Sequence, residues 1–70
     1  MTVIKIVDLV GVSDRGWQDA VEQAVKCVAE SLRNISGVDV LNWTADVKEG
    51  KIVQYRANVK ISFSVEKASD

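Results

Sequence analysis

The side chains able to do chemistry in this chain are few and scattered. Cys27 is the only thiol, there is no histidine, and the four glycines stand apart at 11, 16, 37 and 50. A thiol without an imidazole to take its proton is not activated as a nucleophile. Its place among apolar residues at helical spacing reads as a core thiol. No glycine-rich run can cradle a phosphate, and one cysteine without histidine cannot complete a tetrahedral zinc shell. Acid–base catalysis needs two acids converging in a cleft. Asp39 and Asp46 differ in strand parity, so simple alternation points them to opposite faces. Asp8 follows an apolar strand and is the acid most open to perturbation, although such a residue more often caps a loop or meets a base. On these residues an enzymatic function is not expected.

Four segments must position them. Val3 to Val10 is rich in β-branched residues and is broken by Gly11, which reads as a strand. Its apolar residues fall on both faces, Val3, Val7 and Leu9 on one and Ile4, Ile6 and Val10 on the other, as in a covered sheet or a subunit contact. A loop over 11–16 leads into a helix, with Ser13 or Gly16 as N-cap and Asp14 or Asp19 in the positive first turn. Trp17, Ala20, Val21, Ala24, Cys27, Val28, Ser31 and Leu32 make one amphipathic stripe ending near Asn34. Val38 to Val47 reads as a second strand whose alternation changes phase between Val40 and Leu41, the mark of a bulge or of burial on both sides. Lys48-Glu49-Gly50-Lys51 is a hairpin turn. The third strand alternates Val53, Tyr55, Ala57, Val59, Ile61, Phe63 and Val65 against Gln54, Arg56, Asn58, Lys60, Ser62 and Ser64. The expected fold is α+β: a β-α-β-β chain, one domain over 1–70, with a three-stranded antiparallel sheet wrapped on one helix.

At 70 residues, apolar burial roughly balances the entropy of ordering the chain. Disulfides and metal being unavailable, a chain that is 47% hydrophobic is expected to gain its stability by self-association. Nine basic and ten acidic residues, interspersed to a net charge of −1, provide no basic patch for nucleic acid. No apolar stretch nears the roughly 18–20 residues of a membrane span, and Met1-Thr2-Val3-Ile4-Lys5 lacks the layout of a secretory signal. A cytoplasmic location is the default expectation.

Five stretches now carry a resemblance. Lys5 to Ser13 (KIVDLVGVS), Trp17 to Val21 (WQDAV), Leu32 to Ile35 (LRNI), Glu49 to Ile52 (EGKI) and Tyr55 to Phe63 (YRANVKISF) resemble the dodecin family in order and spacing, over residues 3–65 without a gap. The resemblance implies a hollow homo-dodecamer of cubic symmetry that stores or buffers a small ligand. In the family's flavin-binding members that ligand is riboflavin or FMN, held in pairs at two-fold subunit contacts. There a tryptophan soon after the helix stacks on the ring and a third-strand glutamine bonds its polar edge.

Carried over residue by residue, those positions are Gly37 and Arg56 here, so both named contacts are substituted. An arginine offers five donors and no acceptor, and keeps its charge. It suits an ion pair with a carboxylate such as Asp39 across a subunit contact, or an anionic ligand. Trp43 is the one alternative aromatic platform; it lies six residues beyond Gly37 with the same parity, roughly 20 Å along the strand. Some dodecin-like proteins without the tryptophan bind calcium. That ion wants six to eight oxygen ligands, which Asp39, Asn42, Asp46 and Glu49 would have to supply from different copies. The expected function is therefore ligand sequestration in a dodecin-like shell, with flavin as the family ligand; the alternative is a structural or calcium-type ion-binding shell.

Overall fold

The computed structural model describes residues 2–66. The chain runs β1 (Thr2–Ser13), α1 (Trp17–Ala29), β2 (Ile35–Lys48) and β3 (Lys51–Glu66). The strands form one antiparallel sheet in the order β1-β3-β2. This is the β-α-β-β fold expected from the patterns, with β3 in the centre because its two neighbours both pair with it.

The core lies where α1 crosses β3. Ala57, Val59 and Ile61 are buried on one face of β3 against Ala20 and Ala24 of the helix, and Phe63 is buried further along the same face. Val7, Leu9, Val21, Val25, Val28, Ile35 and Val40 pack around them, half-buried. Two small alanines let the helix sit close, and Gly11 lets it sit closer still. β1 does not break at Gly11 but continues to Ser13, and Gly11 pairs with Ala57 beneath the helix. A Cβ at Gly11 would stand 1.9 Å from the backbone oxygen of Ala20. Only a hydrogen fits there.

The helix is shorter than its stripe. It stops at Ala29, Ser31 and Leu32 close the last turn with hydrogen bonds to the Val28 carbonyl, and Asn34 takes a left-handed φ of 62° before β2 begins at Ile35, three residues earlier than expected. Gly16 occupies the N-cap position without a side-chain bond. Ser13 works one step removed: its hydroxyl donates to Asp19 at 2.6 Å and accepts from the Arg15 N–H at 2.9 Å. That hydrogen bond, helped by the nearby Arg15 guanidinium, holds the Asp19 carboxyl below its ordinary pKa, in the first turn where negative charge is favoured. Cys27 departs from expectation. It is exposed, on the flank of the Ala20–Ala24 line away from Val21 and Val25.

β2 pairs with β3 through three irregularities. One of them leaves Leu41 as an extra residue between Val40 and Asn42, the phase change visible in the sequence. The hairpin closes at Glu49 (φ 52°) and Gly50 (φ 76°), the two positive angles of a type I′ turn.

Gly11→Ala overpacks the tightest helix–strand contact, where neither side can move without losing its ladder. Chemical denaturation should show a loss of about 2–3 kcal/mol or failure to fold, as overpacking of rigid cores does; a wild-type midpoint would mean that the helix does not sit where the backbone places it.

Candidate functional site

The face of the sheet turned away from α1 follows from the ladder. Residues paired across antiparallel strands share a face, so each polar residue of β3 defines a row. Ser62 stands between Ile6 and Gly37, Lys60 between Asp8 and Asp39, Asn58 between Val10 and Asn42, and Arg56 between Val12 and Thr44; Gln54 lies opposite Asp46. The face is thus apolar along β1 and polar along β3 and β2. Ile4, Ile6, Val10 and Val12 are all exposed on it.

At one end, Gly37 opens a shallow cavity of about 230 Å³ lined by Ile6, Gly37, Val38, Asp39, Lys60 and Ser62. The Ser62 hydroxyl donates to the Gly37 carbonyl at 3.3 Å, and the Ser36 hydroxyl lies 3.4 Å from the Ser62 carbonyl. A Cβ on Gly37 would meet only the Ser62 hydroxyl, at 3.3 Å. That group rotates, so the backbone accepts a side chain here and the glycine leaves room. Lys60 lies between two aspartates, Asp8 and Asp39, on the neighbouring strands. At the other end, the Arg56 guanidinium pairs with Asp46 at 3.5 Å, both half-exposed. Between them the Asn58 amide donates to Asn42.

Three sequence expectations change here. Asp39 and Asp46 do share a face, since the extra residue Leu41 restores their phase: Asp39 lies opposite Lys60 and Asp46 opposite Gln54. Arg56 takes Asp46 of its own subunit, not Asp39. Trp43 pairs with Ala57 and so lies on the helix side, opposite in face to Gly37. It belongs to an aromatic group with Trp17 and Tyr55, edge-on to Trp17 at a centroid distance of 6.4 Å, with Tyr55 edge-on to Trp17 at 4.8 Å. The Trp17 indole N–H donates to the Thr44 carbonyl at 2.9 Å. Sequence reading missed this cluster because its signal, two tryptophans and a tyrosine, depended on the phase set by Leu41.

Spacing along β3 decides what one subunit can do. Arg56 and the partner of Gly37, Ser62, are six residues apart, roughly 20 Å. Asp39 and Asp46 are separated by the same distance, and Glu49 stands at the hairpin tip. Among the described residues, no group of three or more acidic, cysteine or histidine side chains converges as a metal site, and no helix is long and apolar enough to cross a membrane. One subunit thus presents fragments of a site, spread along a face.

The fold is thus a helix on one side of a three-stranded antiparallel sheet, with a mixed apolar and polar face open on the other. The dodecin family model matches residues 3–66, and the chain belongs to the dodecin family, whose proteins bind ligands and are not catalytic. It is 28% identical over 68 residues to the calcium dodecin of Mycobacterium tuberculosis, covering 97% of this chain and 96% of that one. The solved structure of that calcium-chelating protein matches with a TM-score of 0.79 at 30% identity, over 97% and 96% of the two chains. A variant of the Thermus thermophilus dodecin matches with a TM-score of 0.90 at 25% identity, over 96% and 100%. The dodecin of Streptomyces coelicolor shares the fold, with a TM-score of 0.90 at 22% identity over 96% of each chain.

Trp17→Ala should cost about 2 kcal/mol, two edge-on aromatic contacts and one hydrogen bond at a partly exposed position. Urea unfolding followed by circular dichroism measures this; an unchanged midpoint would show that the aromatic group does not anchor the helix start.

Proposed function

We propose that this chain is a non-enzymatic subunit of a hollow homo-dodecamer that sequesters a small ligand in clefts shared between copies. The observation that carries the reading is the separation of the family's pocket positions. Gly37 and Arg56 lie on one face but roughly 20 Å apart in a subunit, so a cleft containing both needs a second copy. Dodecin homologues assemble as homo-oligomers, and the apolar row Ile4, Ile6, Val10 and Val12 is the surface such an assembly would cover.

Flavin is the ligand class of the family pocket, and this chain holds it weakly. Gly37 supplies no ring to stack on, and Arg56 is engaged by Asp46. Loss of the aromatic contact together with the edge hydrogen bonds removes about 1.5–3 kcal/mol, which is one to two orders of magnitude in affinity. Trp43 faces the helix side and does not stand in for the missing indole within its own subunit. A calcium-type reading is favoured by one observation: the Leu41 bulge places Asp39 and Asp46 on the same face as Asp8, in a relative of a calcium dodecin. Such a site would draw its oxygens from several copies. Arg56 competes for Asp46, and Lys60 stands between Asp8 and Asp39, so each acid would have to exchange a cation of its own subunit for the ion.

A riboflavin titration read by quenching of flavin fluorescence tests the ligand assignment. The wild type should saturate only well above micromolar concentrations, and Gly37→Trp with Arg56→Gln should tighten binding by tenfold to a hundredfold. No gain in the double variant would contradict the shared-cleft reading. In parallel, equilibrium dialysis against calcium should show binding that falls in Asp39→Asn if the ion-binding reading is the right one.

A further inference from the structure

The middle of the open face carries hydrogen-bonding groups that the positions at its two ends do not use. Asn58 stands between Val10 and Asn42, one row from Lys60 and one row from Arg56. Its side-chain amide donates to the Asn42 side-chain oxygen. Among the described residues, that is the only side-chain hydrogen bond either asparagine makes. Each amide has two N–H donors and an acceptor oxygen. The pair therefore presents an unused acceptor, the Asn58 oxygen, beside an unused donor group, the Asn42 NH₂.

A cavity of about 370 Å³ lies over this row. Its polar lining is Asn42, Asn58, Asp8 and Lys60, and the rest is valine and leucine. Val10 stands on the β1 side and Leu41, exposed, on the β2 side. Leu41 is the extra residue of the β2 irregularity. Without it, Leu41 would pair with Asn58 and Asn42 would turn to the helix side. One inserted residue thus supplies both the second amide and an apolar wall, the re-aiming that bulges perform beside binding sites. Charge selects against an ion here. Asp8 and Lys60 are cross-strand partners and offset each other at one end. Beyond Lys60, Asp39 lines the separate cavity at Gly37, and on the other side Arg56 is paired with Asp46.

We infer that the Asn42–Asn58 pair recognises a small neutral heterocycle of one or two rings with a lactam or imide edge. Its N–H donates to the Asn58 oxygen and its carbonyl accepts from the Asn42 amino group. A lactam places N–H and C=O side by side on one edge, so it meets both unused groups together. Its ring offers apolar surface to Val10 and Leu41. The inference rests on the ligand sequestration proposed above, and moves recognition from the substituted positions Gly37 and Arg56 to the amides between them. Selection is by hydrogen bonding, since the cavity has no aromatic wall. A site that bonds a ligand N–H rejects the analogue lacking it, because its own polar group is left unpaired.

Fluorescence titration of the size-checked protein with lumazine, a two-ring imide, and with 3-methyllumazine tests this. The methyl group removes the imide N–H and leaves the ring and its carbonyls. The wild type should bind lumazine saturably and the methylated compound at least tenfold more weakly, the scale of one unpaired hydrogen-bonding group. Asn58→Thr and Asn42→Thr keep strand-compatible side chains. Both should bind lumazine at least tenfold more weakly and lose the discrimination, whereas Arg56→Ala should keep it. Equal affinity of the wild type for the two compounds overturns the amide-pair site, as does a discrimination that survives in both asparagine variants. Absence of saturable lumazine binding overturns it too, and the wild-type comparison decides even where a variant fails to fold. The shared cleft is judged separately, by the flavin affinity of Gly37→Trp with Arg56→Gln, which alters neither asparagine.

Discussion

A thirteen-residue helix has to cover a sheet whose central strand has sixteen residues. At about 1.5 Å per residue the helix is roughly 20 Å long, whereas β3 runs about 53 Å at 3.3 Å per residue, in a subunit 57 Å in its longest dimension. The contact between Ala20, Ala24 and the strip Ala57, Val59, Ile61, made close by Gly11, is therefore the closed interior of the fold among the described residues. Much of the exposed apolar surface follows from that shortfall and from the one-sided packing of the helix. The β1 row Ile4, Ile6, Val10 and Val12 lies on the uncovered face, while the helix side of β2 and the hairpin end lie beyond the helix's reach, and each exposes valine, isoleucine or tryptophan. For so small a chain, that much exposed apolar surface marks an interaction surface.

The same geometry divides the ligand chemistry. The polar ladder of β3 is continuous, but its two ends carry different tools: a cavity beside Gly37 with Ser62 and Lys60, and a charged pair of Arg56 with Asp46. Neither end encloses a small molecule. Joined across subunits they would make a cleft with apolar walls from β1 and hydrogen-bonding groups from β3, the composition usual for small-molecule sites. What this chain lacks is the aromatic platform on that face. Its second tryptophan has been spent on the helix side, bracing Trp17.

The strand order along the chain, the helix and the hairpin turn were legible because β3 alternates almost perfectly and Glu49-Gly50 is a strong turn signal. The positions Gly37 and Arg56 came from the family resemblance and not from spacing. Faces on β2 were not. One extra residue, Leu41, reverses the parity of everything after it, so Asp46 and Trp43 both landed on the side opposite to that expected from simple alternation. The phase break was visible in the sequence, but bulge and two-sided burial look alike until a partner strand is known. Cys27 shows the complementary failure: helical periodicity marks the apolar stripe but not which of its members the sheet covers, and Cys27 is exposed. Arg56 chose the acid two rungs away on the neighbouring strand over Asp39 because pairing, not sequence separation, decides which carboxylate is near.

The central claim is that the subunit is incomplete and is finished by copies of itself. Native mass spectrometry of the purified protein, with an unfolding series by urea on the same sample, measures this directly. Twelve copies of a 7.7 kDa chain give a particle of about 92 kDa, and the account predicts that single species, with assembly and secondary structure lost together in one transition. A folded 7.7 kDa monomer that keeps its circular dichroism after dilution would contradict it.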